Sequence, residues 1–281
     1  MKLAELHPRA FFLETWQQMD REAAEERAAR EAAGLGFDWR PLIVLLTSAV
    51  LLTLMEYIGN RDWFYELLRE IPKQRVRAAL RLPANPHLER MGWAWWAGWR
   101  VLGYFLLPMV LVRLYGERVR DQGLSTKGLR EHVWLYVLCY LVVAVCVAFV
   151  SRSPEFVNYY PFYKGANKSW ADFLGWELMY AAQFFALEFF FRGWWLKACK
   201  AQMGSHAIFV MTVPYVMIHF GKPMLETFGA CIAGVVLGTL AMKTRSIWSG
   251  FFVHVGVAIS MDLAAMSKTI GIPETFWPLG S

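Results

Sequence analysis

Charge is scarce in this chain: only 19% of its 281 residues are Asp, Glu, Lys or Arg, against 57% hydrophobic ones. One soluble core cannot bury that much apolar surface, so the excess must face lipid, in keeping with a mean hydropathy of +0.31. Period-two alternation of apolar and polar residues is missing, which excludes a transmembrane barrel and leaves helices as the spanning elements. Cysteine is sparse as well. Cys139, Cys146, Cys199 and Cys231 stand singly in or beside apolar stretches, without the C-x-x-C pairs of a zinc or redox site, and read as small core residues. The chain has no internal repeat, which argues against a transporter built of paired halves, and no H-E-x-x-H or other compact zinc set. The first 40 residues have no apolar core of the kind a signal peptide needs. The tract from Asp20 to Arg30 mixes acids and bases and reads as an amphipathic helix, solvated or lying on a surface.

What is present is a series of apolar runs near the length a bilayer requires, roughly 20 residues. Seven stretches qualify: about 42–58, 92–112, 133–150, 171–201, 205–220, 225–242 and 246–266. The fourth is too long for one simple span and has room for an interfacial helix followed by a crossing. The expectation is therefore an all-α, polytopic transmembrane bundle of seven or eight helices. It divides into the N-terminal helix (1–40), two transmembrane helices joined by a basic loop (41–114), a transmembrane core (115–266) and a C-terminal tail (267–281). The connections at 59–91 and 151–169 are long enough for short surface helices. Gly204 and Ser205, following Lys197 and Lys200, mark a tight hairpin, with glycine ending one helix and serine capping the next.

The distribution of Lys and Arg over alternate exposed segments favours a cytoplasmic N-terminus. The net charge of +6 is spread over juxtamembrane loops, notably at Lys73, Arg75, Arg77 and Arg81 after the aromatic run Trp63-Phe64-Tyr65. A basic, aromatic-flanked loop of this kind suits anionic lipid headgroups, not nucleic acid. Trp93, Trp95, Trp96 and Trp99 read as part of an interfacial aromatic belt.

The informative residues are the ionisable ones inside the apolar runs. Each costs roughly 2.5–3.5 kcal/mol on insertion scales and so asks for a partner or a task. Glu188 and Arg192 are four residues apart, on one helix face, and can pair. His219 lies about as far beyond the 204 turn as Glu188 lies before it, so an antiparallel pairing puts the two at one depth. A carboxylate and an imidazole there can bind and polarise water. His254 on the last helix adds a second imidazole, suited to an oxyanion or to the same water. Each has a plain structural reading, as a packing salt bridge or an interhelical hydrogen bond, but their coincidence on three helices points to an active site. Lys222 and Glu226 flank Pro223 where the sixth helix begins, with Glu226 as a substitute carboxylate, and Asp262 two turns past His254 is placed to orient it. Glu56 and Arg100 show no partner at helical spacing.

The motifs Leu187-Glu188-Phe189-Phe190-Phe191-Arg192, Tyr215-Val216-Met217-Ile218-His219 and His254-Val255-Gly256-Val257-Ala258 resemble the E-E-x-x-x-R, F-x-x-x-H and H-x-x-x-N motifs of the CAAX protease and bacteriocin-processing (CPBP, Abi) family of intramembrane endopeptidases. The tract Gly116–Leu124 resembles that family's loop preceding its core, and the likeness spans roughly residues 115–266. Two positions depart from the pattern: Leu187 stands for the first Glu and Ala258 for the Asn. The resemblance implies hydrolysis of a peptide bond in a membrane-associated protein, with Glu188 or Glu226 as base, Arg192 fixing the glutamate, and His219 with His254 completing the water site. It implies no obligatory cofactor, although a dispersed divalent-metal site of His219, His254 and a carboxylate is compatible with it. Pro223, Glu226 and Asp262 resemble a bacterial subgroup, which implies a multi-pass protein of a bacterial cytoplasmic membrane. The departures leave room for a second expectation, a member without catalysis that serves as a binding or scaffolding subunit with partners in a membrane complex.

Overall fold

The structure, a computed structural model, describes residues 7–70, 87–127 and 129–278, and these form helices and connecting turns with no β-strand among the described residues. Lys73, Arg75, Arg77 and Arg81, the proposed lipid-contacting cations, lie outside the described residues. In chain order the helices are α1 (Glu14–Ala32), α2 (Arg40–Tyr57), α3 (Arg61–Glu70), α4 (Leu88–Leu114), α5 (Val133–Val150), α6 (Pro154–Tyr159), α7 (Trp170–Glu188), α8 (Leu196–Met203), α9 (His206–Met217), α10 (Met224–Thr244) and α11 (Trp248–Met266). Every apolar run read from the sequence is a helix. Those over Arg40–Tyr57, Leu88–Leu114, Leu129–Val150, Met224–Thr244 and Trp248–Met266 are long and apolar enough to span a bilayer, while His206–Met217 is a shorter apolar helix. Their outward faces carry large apolar side chains such as Leu46, Val142, Phe149, Phe228 and Ile232, all well exposed. A soluble bundle does not tolerate such a surface, and lipid covers it in an integral membrane protein.

The fourth run resolves into one unbroken helical rod. Helix α7 continues through a π-helical segment, Phe189–Trp195, into α8, giving a length of roughly 50 Å at 1.5 Å per residue. It carries most of the buried charge among the described residues and sits in the centre of the bundle, packed against α4 and α11. All seven residues of the π segment are buried. Gly193 lets the rod approach the 116–124 tract, because a Cβ there would fall on the carbonyl oxygen of Gln122. That tract is in turn tied to the turn before α11: Ile247 N–H donates to Gly123 O (2.9 Å), and Ser246 Oγ donates to Ser125 O (2.9 Å).

The hairpin at 204 forms as expected, with Gly204 at φ +55° closing α8. Ser205 does not cap α9. Its N–H and hydroxyl both donate to Asp20 of α1, at 2.7 and 3.2 Å, because α1 lies across the hairpin and offers a charged acceptor. The N-terminal helix is thus docked through one face. Lys200 pairs with Glu22 (2.8 Å), Arg27 donates to Ala201 O (2.9 Å), and Trp16 donates to Thr239 Oγ1 (3.0 Å). Glu56 and Arg100 face each other across α2 and α4 at 3.9 Å. Trp93 is an interior residue instead of a belt residue: it is buried, stacks on Phe162 and carries the Arg61 guanidinium 3.7 Å above its ring. The 151–169 connection holds α6 and a 3-10 turn, Lys164–Lys168.

Candidate active site

Glu188 is the last residue of α7, and Arg192 follows inside the π segment. Such segments widen one turn of a helix and recur at functional sites. Both side chains are completely buried, with Arg192 Nη1 3.2 Å from Glu188 Oε1. Between them along the chain Phe189, Phe190 and Phe191 are fully buried too, so the pair sits in an interior of low polarity where charge interactions are strong and separation is costly. The contact is close but not well directed. Neither carboxylate oxygen and none of the three guanidinium nitrogens has an aligned hydrogen-bond partner among the described residues. Buried polar atoms are rarely left so, and the pair retains hydrogen-bonding capacity for a further polar group.

Helix α11 brings His254 to the same carboxylate. Its Nδ1 stands 3.0 Å from Glu188 Oε1 and 3.1 Å from the Gly250 carbonyl oxygen. A carbonyl only accepts, so Nδ1 carries a proton and Nε2 of the neutral ring is an acceptor. Phe184 lies flat against the imidazole, with centroids 5.1 Å apart. The approach of α11 depends on Gly250, where an added Cβ would fall on the Glu188 carboxylate.

Helix α9 supplies Tyr215, which touches the other groups with three different parts. Its hydroxyl is 3.0 Å from His254 Nε2, its ring face lies 4.1 Å from Arg192 Cζ, and its carbonyl oxygen accepts from His219 Nδ1 at 2.8 Å. His219, one turn on and just beyond the helix end, therefore presents Nε2 as an acceptor with no hydrogen-bond partner among the described residues. The carbonyl of His219 takes the Thr227 hydroxyl (2.9 Å) from the start of α10.

The structure thus brings Glu188, Arg192 and His254 into direct contact, with His219 joined to them through Tyr215. Glu226 has its own partners, Lys222 at 2.7 Å and the Tyr160 hydroxyl at 2.8 Å, in the first turn of α10 as the Pro223 start predicts. Asp262 does not orient His254. It accepts from Trp176 Nε1 at 2.7 Å, because α7 and α11 run side by side and the residue two turns past His254 meets α7 well before Glu188. No three His, Cys, Asp or Glu side chains among the described residues are grouped to hold a metal ion. The dispersed set of His219, His254 and a carboxylate does not fit one, since His254 uses Nε2 on Tyr215. Leu187 and Ala258, the two departures from the motifs, are both packed into the interior.

Sequence reading missed Tyr215, Gly250 and Glu177, a buried acid standing against Asp262. Tyr215 and Gly250 carry one shared signal, a position four residues ahead of a site histidine, but their partners lie on other helices. At the end of the bundle that holds the 204 hairpin, a cavity of about 230 Å³ lies between α1 and the rod and is bordered by Arg192, Gly193, Lys200 and Arg245.

Residues 169–260, which include α7 to α10 and most of α11, match the family described as type II CAAX prenyl endopeptidase Rce1-like. No curated protein and no solved structure gives a significant match. Over the segment that carries the whole candidate site, the chain is therefore similar to the type II CAAX prenyl endopeptidases of the Rce1-like family.

Proposed function

We propose that the protein is an intramembrane endopeptidase that hydrolyses a peptide bond of a membrane-associated protein with water activated by Glu188 and His219. The carrying observation is a completely buried glutamate contacted at one oxygen by both Arg192 (3.2 Å) and His254 (3.0 Å). A carboxylate held in a dry interior is a pre-positioned base, and its two contacts keep it aimed. His219 Nε2 holds the water through one hydrogen, and Glu188 takes the other as the oxygen adds to the scissile carbonyl. The same proton then passes to the leaving nitrogen as the C–N bond breaks. His254, with both ring nitrogens engaged, serves to fix Glu188 instead of donating to the oxyanion. Glu226, paired with Lys222 at 2.7 Å, is not the base in this scheme.

The test is cleavage of a co-expressed, membrane-anchored reporter library by the full chain. Glu188→Gln, His219→Ala and His254→Ala should each lower the rate by about 10²- to 10⁴-fold, the usual weight of acid–base catalysis, with thermal unfolding still cooperative. Undiminished cutting by all three would reject the scheme. Two observations favour a second reading, a non-catalytic scaffolding subunit: Glu188 and Arg192 have no exposed surface, and apolar Leu187 and Ala258 stand where the resembled motifs place polar groups. That reading predicts a stoichiometric membrane partner on purification and a function indifferent to the three substitutions.

A further inference from the structure

We propose that Tyr215 is a positioning residue whose hydroxyl fixes His254 in the tautomer that carries its proton on Nδ1, given to the Gly250 carbonyl beside Glu188; this deepens the endopeptidase reading and rests on it for its catalytic consequence. The contacts divide cleanly. The Tyr215 O–H donates to His254 Nε2 (3.0 Å), which leaves the proton on Nδ1, donated to the Gly250 carbonyl (3.1 Å), with Glu188 Oε1 3.0 Å from the same nitrogen. The opposite tautomer would aim a lone pair at a carboxylate and a carbonyl at once, and nothing attractive would remain on that side. Tyr215 is 1% exposed and cannot trade its partner for solvent. The ring is clamped between Arg192 on its face (4.1 Å) and Phe191 on its edge (5.5 Å), so the hydroxyl is held at a fixed height against α11.

The sequence context makes this specific to the chain. Position 215 is where the resembled motif has phenylalanine, and 258, one turn past His254, is where it has asparagine; here they are Tyr215 and Ala258.

The experiment is ¹⁵N spectroscopy of ring-labelled histidine in the detergent-solubilised full chain, with His254 assigned by its loss in His254→Gln, run beside reporter cleavage. The wild type should show His254 with a protonated Nδ1 and an unprotonated, hydrogen-bonded Nε2. Tyr215→Phe keeps the ring and its Arg192 contact, and should give a mixture of tautomers and about a 3- to 10-fold loss in kcat with KM unchanged, the weight of one hydrogen bond. Difluorotyrosine at 215, a stronger donor of nearly the same shape, should move the Nε2 resonance toward the protonated end, and it tests the contact even where the phenylalanine variant fails to fold. An unchanged His254 tautomer in Tyr215→Phe, or an unmoved resonance with difluorotyrosine, overturns the proposal. A tautomer shift in Tyr215→Phe, with a wild type that cuts nothing, upholds the positioning role and rejects the endopeptidase.

Discussion

Replacing Gly250 by alanine sets two effects of opposite sign against each other. On propensity alone, alanine stabilises a helix interior over glycine by ~1 kcal/mol. Against this, an ideal Cβ at 250 would lie 2.5 Å from Glu188 Cδ and 2.9 Å from Oε1, whereas carbon atoms settle at about 3.5–4.0 Å. The carboxylate must retreat by about 1 Å, and a completely buried side chain held against Arg192 and His254 has little room to do so. Overpacking of this kind costs ~1–3 kcal/mol, and severing the Glu188 contacts to Arg192 and His254 raises the total toward the ~3–5 kcal/mol of a broken buried pair. The steric effect therefore wins. Gly250→Ala should unfold at lower temperature in detergent and cleave about 100-fold more slowly, as a 1 Å misplacement of a catalytic group commonly does. The matched control is Gly229→Ala in α10, where an added Cβ meets nothing within 4 Å; it should be neutral or stabilising. A Gly250→Ala protein as stable and as active as its parent would refute the placement of Glu188 against α11.

Arg192→Met strands a buried carboxylate and should cost ~3–5 kcal/mol of stability, while adding Glu188→Gln should restore most of it without restoring activity; thermal unfolding of the two variants decides this. Acid should loosen the N-terminal clamp. The Asp38 carboxyl lies below its ordinary range because Arg40 hydrogen-bonds it, and Glu22 lies below its own because Lys200, Gln18 and Arg245 together outweigh the upward push of burial. A depressed carboxylate contributes stability above its unfolded pKa and loses it as the pH falls through the folded one. A spin label at exposed Glu25 should therefore gain mobility only below the ordinary carboxylate range, and one that stays immobile throughout the acid titration would contradict the assignment.

How much of this was legible in the sequence follows from which interactions are local. The helices were, because a lipid-facing surface has to be apolar over its whole length, and seven such runs interrupt an otherwise polar chain. The Glu188–Arg192 pair was, because four residues along a helix brings two side chains together wherever the helix packs. His254 could be listed but not aimed: only the packing of α11 on the rod decides that its Nδ1 meets Glu188 and its Nε2 meets Tyr215. The same holds for Asp262, whose spacing from His254 suggested an orienting role, whereas its carboxylate accepts from the neighbouring Trp176 instead. Glu56 and Arg100, unpartnered within their own helices, find each other across two.

The residues that escaped notice share a physical reason. Gly250 acts by lacking atoms, and a missing Cβ matters only once another helix supplies the side chain that fills its place. Tyr215 reads as one more aromatic in an aromatic-rich chain until a hydroxyl, a ring face and a carbonyl are each given a partner. In an interior without water, a polar atom's value is set by whether a partner from another helix reaches it. The oxygens of Glu188 and nitrogens of Arg192 are then among the buried atoms that the bundle leaves unaligned, and five of them meet at this one pair. A site that must receive a peptide bond needs such atoms, whereas a junction serving only to hold α7, α9 and α11 together gains by closing them. Substituting the pair by Glu188→Gln with Arg192→Met separates the two: a protein that becomes more stable and inert has given up a function there, and one that becomes more stable and keeps its role in the membrane had none at that pair to lose.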